Sequence, residues 1–116
     1  MQQCVDKLLQ GLEEFDEPAA FYKGNRIVQA NQKFAELFER DIAEFKDLPI
    51  IDICHNESIE MIRDFIRRRA RKDVDVPQHY EAAFRTTSRS KVMMIVDVLK
   101  LHNTEGGVLA ILHEKG

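Results

Sequence analysis

The stretch AAFYKGNRIVQANQKFAELFER, residues Ala19–Arg40, decides the fold of this chain. Its first half holds two short segments, Ala19–Lys23 and Arg26–Ala30, which are rich in aromatic or β-branched residues. Gly24 and Asn25 lie between them, and a two-residue turn fits there because glycine adopts a positive φ without steric cost. The pattern therefore predicts a β-hairpin.

The second half of the stretch predicts a helix. Asn31 stands at the position of an N-cap, where its side-chain oxygen can accept a hydrogen bond from an early helical N–H. Apolar residues then recur at helical spacing and give the helix one apolar side. These residues are Phe34, Leu37 and Phe38.

At these residues the sequence resembles the PAS (sensory box) family. That family opens with a β-hairpin and a turn glycine, followed by an aliphatic strand that ends in Asn and a helix of the form N-x-x-F-x-x-L-F. The matching residues here are, in order, Gly24, Ile27, Val28, Asn31, Phe34, Leu37 and Phe38. The resemblance implies an α+β fold with a five-stranded antiparallel sheet in the order 2-1-5-4-3, helices on one face and an N-terminal amphipathic flanking helix.

Length and composition set the bounds. The 116 residues suit one domain with one modest core, and 44% apolar and 32% charged residues are typical of a soluble globular protein. There is no run of 18 apolar residues and no secretory signal pattern, so we expect no contact of this segment with a membrane. The two cysteines, Cys4 and Cys54, lack metal-ligand spacing. A reducing, cytoplasmic location is the simplest interpretation.

Residues 1–17 are predicted to form the N-terminal amphipathic helix, and residues 18–116 the PAS-like sensor domain. Pro18 separates the two, since it disfavours helical geometry at Glu17. The apolar stripe of the helix must be buried, either against the sheet of its own domain or against a second copy. Its members are Cys4, Val5, Leu8, Leu9, Leu12 and Phe15.

The rest of the chain predicts a long helix and three strands. Asn56 is the expected N-cap of the helix, whose inward stripe is Ile59, Ile62, Phe65, Ile66 and Arg69 or Ala70. The strands are expected at Gln78–Thr86, Lys91–His102 and Gly107–Glu114, joined by short polar turns.

The middle one of these strands is apolar on both faces. Strand side chains alternate, so Val92, Met94, Val96 and Val98 share one face. Met93, Ile95, Leu99 and Leu101 share the other, on which Asp97 is the polar exception. An antiparallel sheet normally leaves one face polar. We therefore expect a central strand that is covered on both sides, and self-association as a homodimer through the N-terminal helix and this sheet face.

Other chemistries have little support. The chain lacks a P-loop, a G-x-S-x-G and an H-E-x-x-H motif, so no catalytic residue is assigned and we expect no enzyme. His55 is expected at the surface or as a helix cap rather than as a metal ligand, and Cys54 as a buried structural residue outside any flavin motif. The basic run Arg67–Lys72 has acidic flanks and ends a helix, which favours a solvated helix end over nucleic-acid binding.

The resemblance implies a sensory, signal-transduction module. It would bind a small ligand or a partner in a cavity between sheet and helices and regulate an output module, a histidine kinase or a transcription regulator, through dimerisation. A ligand-free dimerisation or protein-interaction module is the alternative, and a small α+β enzyme the third class. The residues do not identify a cofactor. The expected pocket residues are Phe21, Val28, Phe34, Phe38, Ile51, Ile62, Phe65, Met94 and Leu109.

Overall fold

A computed structural model describes residues 11–70, 76–100 and 107–115. Within these ranges, seven regular elements are accompanied by three short 3-10 helices: Leu12–Glu14, Ile42–Phe45 and Ile50–Ile53. The regular elements are β1 (Ala19–Lys23), β2 (Arg26–Ala30), α1 (Gln32–Phe38), α2 (Asn56–Ala70), β3 (His79–Phe84), β4 (Val92–Lys100) and β5 (Gly107–Glu114).

The five strands form one antiparallel sheet in the order β2-β1-β5-β4-β3. This confirms the expected fold class and strand order. The first, second and fifth strands have the expected bounds, whereas β3 is shorter than predicted at both ends and β4 begins one residue later than predicted. The predicted stripe residues Cys4, Val5, Leu8 and Leu9, as well as Leu101 and His102, lie outside the described residues.

Local signals build the first unit as expected. Gly24 has a φ of 61°, the left-handed conformation that the hairpin turn requires. Asn31 caps α1, since its side chain accepts a hydrogen bond from the Phe34 backbone N–H at 2.9 Å. At the other end of α1, Glu39 adopts a left-handed φ of 60° and stops the helix.

Both edges of the sheet are paired with neighbouring loops. Beside β2, the Ile27 N–H donates to the Leu48 carbonyl and the Asp47 N–H donates to the Ile27 carbonyl, both at 2.8 Å. Beside β3, a bridge joins Cys54 to Phe84, and the His55 N–H donates to the Ala83 carbonyl at 2.9 Å. These contacts satisfy backbone groups that an open edge would expose to another chain.

The start of α2 corrects one prediction. Asn56 is the first residue of the helix, and His55 is the cap, because its Nδ1 accepts a hydrogen bond from the Glu57 N–H at 3.0 Å. The imidazole nitrogen thus replaces the side-chain oxygen that the sequence pattern favoured. The buried Ser58 fixes the same helix end to β3 by accepting from the Ala83 N–H at 2.8 Å.

The inner face of the sheet, covered by α1 and α2, carries the main core. Phe34, Phe38, Phe45 and Phe84 form a ring cluster with centroid separations of 4.8 to 6.2 Å. From β4 the buried residues are those on the first predicted face: Val92, Met94, Val96 and Val98.

The residues that the structure describes cover the outer face only in part. Leu12, Ala19, Phe21 and Leu109 form a second, smaller buried cluster over β1 and β5. Leu12 therefore packs on its own domain, one of the two arrangements left open for the flanking segment. Further along this face Met93 and Leu99 are 37% and 51% exposed.

Candidate functional site

A small cavity of about 40 Å³ lies between α2 and the inner face of the sheet. All five strands contribute to its floor, and α1, α2 and the 3-10 helix Ile50–Ile53 form its walls. Most of the lining is aliphatic or aromatic. The lining residues are Ala20, Tyr22, Ile27, Phe34, Ile50, Ile53, Ile62, Ile66, Arg69, Tyr80, Phe84, Val96, Ala110 and Leu112.

Three side chains bring polar atoms to this apolar wall: Tyr22, Arg69 and Tyr80. Arg69 donates from Nη1 to the Tyr22 hydroxyl at 2.9 Å, and its guanidinium carbon lies 6.0 Å from the centroid of the Tyr22 ring. The second terminal nitrogen of Arg69, Nη2, is buried and has no hydrogen-bond partner among the described residues. The cavity therefore combines an apolar body with one cationic group.

Burial keeps both phenols in their neutral form. Desolvation raises the pKa of Tyr22 well above its usual value, and the nearby Arg69 only partly opposes this rise. Desolvation also raises the pKa of Tyr80, and the charge of Arg69 together with a hydrogen bond between the two side chains partly opposes this rise. Each hydroxyl can then donate one hydrogen bond and accept others.

The structure places the expected pocket residues in four groups. Phe34 and Ile62 line the cavity. Phe38 and Met94 belong to the same core but do not line the cavity, and Ile51 packs against this core. Phe65 is buried, and the centroid of its ring lies 4.8 Å from that of the cavity residue Tyr80. Three others lie on the opposite face of the sheet: Phe21, Val28 and Leu109.

This division depends on which alternate residues of β1 and β5 face the cavity. Both strands carry apolar residues on both faces, so the sequence alone did not show whether Phe21 or Tyr22 points inward. The structure turns Tyr22 to the cavity and Phe21 to the outer cluster. Arg69 was expected on the inward stripe of α2, but its hydrogen bond with Tyr22 forms only because Tyr22, and not Phe21, faces the cavity.

Val28 borders a separate, open groove of about 300 Å³ beside the edge strand β2. The groove also contacts Gln29, Ala30, Ile42 and Lys46. It shares no lining residue with the cavity, and it lacks the enclosed apolar wall typical of small-molecule sites.

Cys54 is buried, as expected, and is not part of the cavity wall. Its thiol donates to the Ile50 carbonyl at 3.4 Å, and burial raises its pKa to about 12. A thiol of this kind is a poor nucleophile at neutral pH. Over the described ranges, no three His, Cys, Asp or Glu side chains lie close enough together to hold a metal ion.

The basic run at the end of α2 divides in the structure. Arg67 and Arg68 contact Asp64 on the solvent side, as the interpretation of a solvated helix end requires. Arg69 is the exception because it turns toward Tyr22. Among the helices that the structure describes, none is long and apolar enough to cross a bilayer.

An antiparallel five-stranded sheet with a cavity between one face and its covering helices is the architecture of a small sensory domain. The sequence matches the PAS domain family over residues 18–114, and the chain belongs to that family. No curated protein matches the sequence.

Solved structures share the fold at low sequence identity. The LOV protein of Rhodobacter sphaeroides is 10% identical, with a TM-score of 0.81 over 100% of this chain and 69% of that one. A PAS domain from a two-component sensor histidine kinase is 13% identical, with a TM-score of 0.70 over 98% of each chain. The PAS domain of a LuxR-family transcriptional regulator from Burkholderia thailandensis, in complex with ethanol, is 11% identical, with a TM-score of 0.69 over 90% of this chain and 94% of that one.

Proposed function

We propose that this PAS domain is a sensor that binds a small molecule in the cavity beneath α2 and passes the signal to an output module by changing how two copies pair. The observation that carries the proposal is the cavity itself, an apolar space between sheet and helix with few, convergent polar groups. Such a ligand shifts the pairing only through different affinities for the two states of the dimer.

The size of the cavity restricts the ligand. A volume of about 40 Å³ holds roughly three water molecules by the usual measure for buried water. Only a ligand of a few non-hydrogen atoms fits without a rearrangement of the wall. The ethanol bound in the PAS domain of the LuxR-family regulator is a ligand of this size.

The outer face supports the pairing of two copies. Met93 and Leu99 are exposed there, and Ile95 and Ile111 are half-buried beside them. Around this strip lie a hydrogen bond between Asp97 and His79 and the ion pairs of Glu81 with Lys115 and of Glu114 with Arg89. An apolar centre with a charged border is the composition of a protein interface.

The relatives support an output module of the signalling type. PAS domains of this fold occur in a histidine kinase and in a transcriptional regulator. We therefore propose one of these two output types, in a cytoplasmic protein that acts as a homodimer.

A native mass spectrum of the purified chain beside a denaturing one tests ligand binding. We expect the native spectrum to show the extra mass of a retained ligand, or titration with ethanol to shift NMR signals of residues around the cavity. Either signal of binding should be lost in the variant Ala110→Val, which fills the cavity. His113→Val, which adds the same side chain at an exposed position of β5, is the control and should behave as the wild type. Absence of any bound mass and of any shift would instead favour a ligand-free interaction module.

Light scattering against protein concentration tests the pairing. Leu99→Glu places a charge in the proposed interface and should convert a dimer to a monomer. Gln32→Glu, an equal charge change at an exposed position of α1, should leave the mass unchanged. A dimer that persists in Leu99→Glu would exclude this face as the contact.

A further inference from the structure

The guanidinium of Arg69 is only partly satisfied by the protein. It donates to Tyr22 through Nη1, and its charge and a hydrogen bond with Tyr80 both oppose the rise that burial causes in the pKa of Tyr80. Its Nη2 is buried without a hydrogen-bond partner, and over residues 11–70, 76–100 and 107–115 no carboxylate forms an ion pair with it. A buried donor on a permanent cation is unfavourable unless an acceptor meets it.

The neighbouring arginines show that this arrangement is specific to Arg69. Arg67 and Arg68 lie on the same turn of α2 and both contact Asp64. Arg69 instead points toward the cavity, and it is the single charged residue among those that line it. The position supplies a positive charge where the rest of the wall has apolar atoms and two neutral phenols.

A carboxylate fits these groups chemically. Arginine presents its N–H donors in a planar fork that matches the two oxygens of a carboxylate. The Tyr22 hydroxyl accepts from Arg69, so its own hydrogen is available to donate to the same anion. An aliphatic tail would contact side chains such as Ile62, Ile66 and Val96.

We propose that the ligand of the cavity is a small aliphatic carboxylate, of the size of acetate or propionate, held by Arg69 with Tyr22 and Tyr80. This inference rests on the proposed ligand-binding function and names the chemical class of the ligand. The cavity of about 40 Å³ excludes larger acids unless the wall opens.

Titration of the ¹⁵N-labelled full chain by NMR tests this proposal, with sodium propionate and its neutral isostere propionamide as probes at constant ionic strength. We expect saturable shifts at backbone amides around the cavity, and binding of propionamide at least about tenfold weaker, because the charge-assisted contact is lost. Equal affinity for the two probes would overturn the proposal and leave the sensor function standing, since a small ligand would still bind.

Two variants on α2 separate the specific contact from general charge. Arg69→Gln should weaken propionate binding by about tenfold or more. Arg67→Gln, which removes an equal charge from a side chain that is 64% exposed, should change the affinity less than about twofold. If Arg69→Gln loses a folded spectrum, Arg69→Lys keeps the charge without the fork and should bind propionate more weakly than the wild type. Equal loss in the Arg67 and Arg69 variants would overturn the proposal.

A carboxylate of the chain itself is the competing occupant. Asp73 and Asp75 follow Arg69 in the sequence. If one of these carboxylates accepts a hydrogen bond from Nη2 of Arg69, the wild type should not bind propionate. The double variant Asp73→Asn, Asp75→Asn should then gain propionate binding, and this result would overturn the proposal. Unchanged binding in the double variant supports a free acid as the ligand.

Discussion

The two faces of the sheet are made by the same strands, yet they are covered to different extents. On the inner face, β4 buries Val92, Met94, Val96 and Val98 against the helices. On the outer face, Leu109 is buried beneath Leu12, whereas Leu99, its partner in the adjacent strand, is 51% exposed. The comparison shows that a strand with apolar residues on both sides can bury one side in the core and leave part of the other side exposed.

Loss of a ring from the inner face should have the largest effect. Phe38 is fully buried among Phe34, Phe45 and Phe84. We expect Phe38→Ala to lower the free energy of unfolding by about 3–5 kcal/mol, because it removes a buried ring and leaves a cavity. Urea denaturation measures this value. A loss under about 1 kcal/mol would mean that the inner core can collapse around the gap.

A matched pair on the outer face sharpens the contrast within that face. Leu109 and Leu99 are cross-strand neighbours, but only Leu109 is buried, at 2% exposure. We expect Leu109→Ala to cost about 2–5 kcal/mol and Leu99→Ala no more than about 0.5 kcal/mol in the monomer. Urea midpoints at low protein concentration measure both. Equal losses would show that Leu99 is also covered.

Asn31 joins the two faces and is the next test. Its Oδ1 accepts from the Ala19 and Phe34 N–H groups at 3.0 and 2.9 Å, and its Nδ2 donates to the Leu12 and Glu17 carbonyls, both at 2.9 Å. The sequence predicted a helix cap, whose removal costs about 1 kcal/mol. Because Asn31 is only 1% exposed and Asn31→Ala leaves several buried groups unpaired, we expect a loss of about 2–4 kcal/mol.

The variant Asn31→Asp separates the two roles of this side chain. It keeps the acceptor for the Phe34 N–H and removes the donors to Leu12 and Glu17. We expect it to be destabilised relative to the wild type by urea denaturation, which a simple capping role does not explain, since Asp is as good a cap as Asn. Wild-type stability in Asn31→Asp would reduce Asn31 to a cap alone.

The parts that were predictable from the sequence depend on local signals. Gly24 in a two-residue turn, Asn31 before an apolar helical stripe and the alternation of β4 are each decided within a few residues. The strand order came from the resemblance. The lining of the cavity depends instead on which face of β1 and β5 points inward. Because both faces of these strands carry apolar residues, the sequence pattern does not distinguish them. The contact of Arg69 with Tyr22 joins residues 47 positions apart, so no local pattern indicates it.

The smallest expected effect concerns the end of α1 and depends on pH. Glu39 is exposed, and hydrogen bonds from the Thr86 and Ser88 side chains and the Ser88 backbone lower its pKa from 4.5 to about 2. A pKa lowered in the folded state gives a stabilisation that is present above pH 4.5 and is lost as the pH falls toward 2. We therefore expect Glu39→Gln to be less stable than the wild type at pH 7, with a difference that shrinks between pH 5 and pH 3. The urea midpoints of the two proteins across this pH range measure the difference in stability. A difference that does not change with pH would show that the contact between the end of α1 and the β3–β4 turn does not depend on the charge of Glu39.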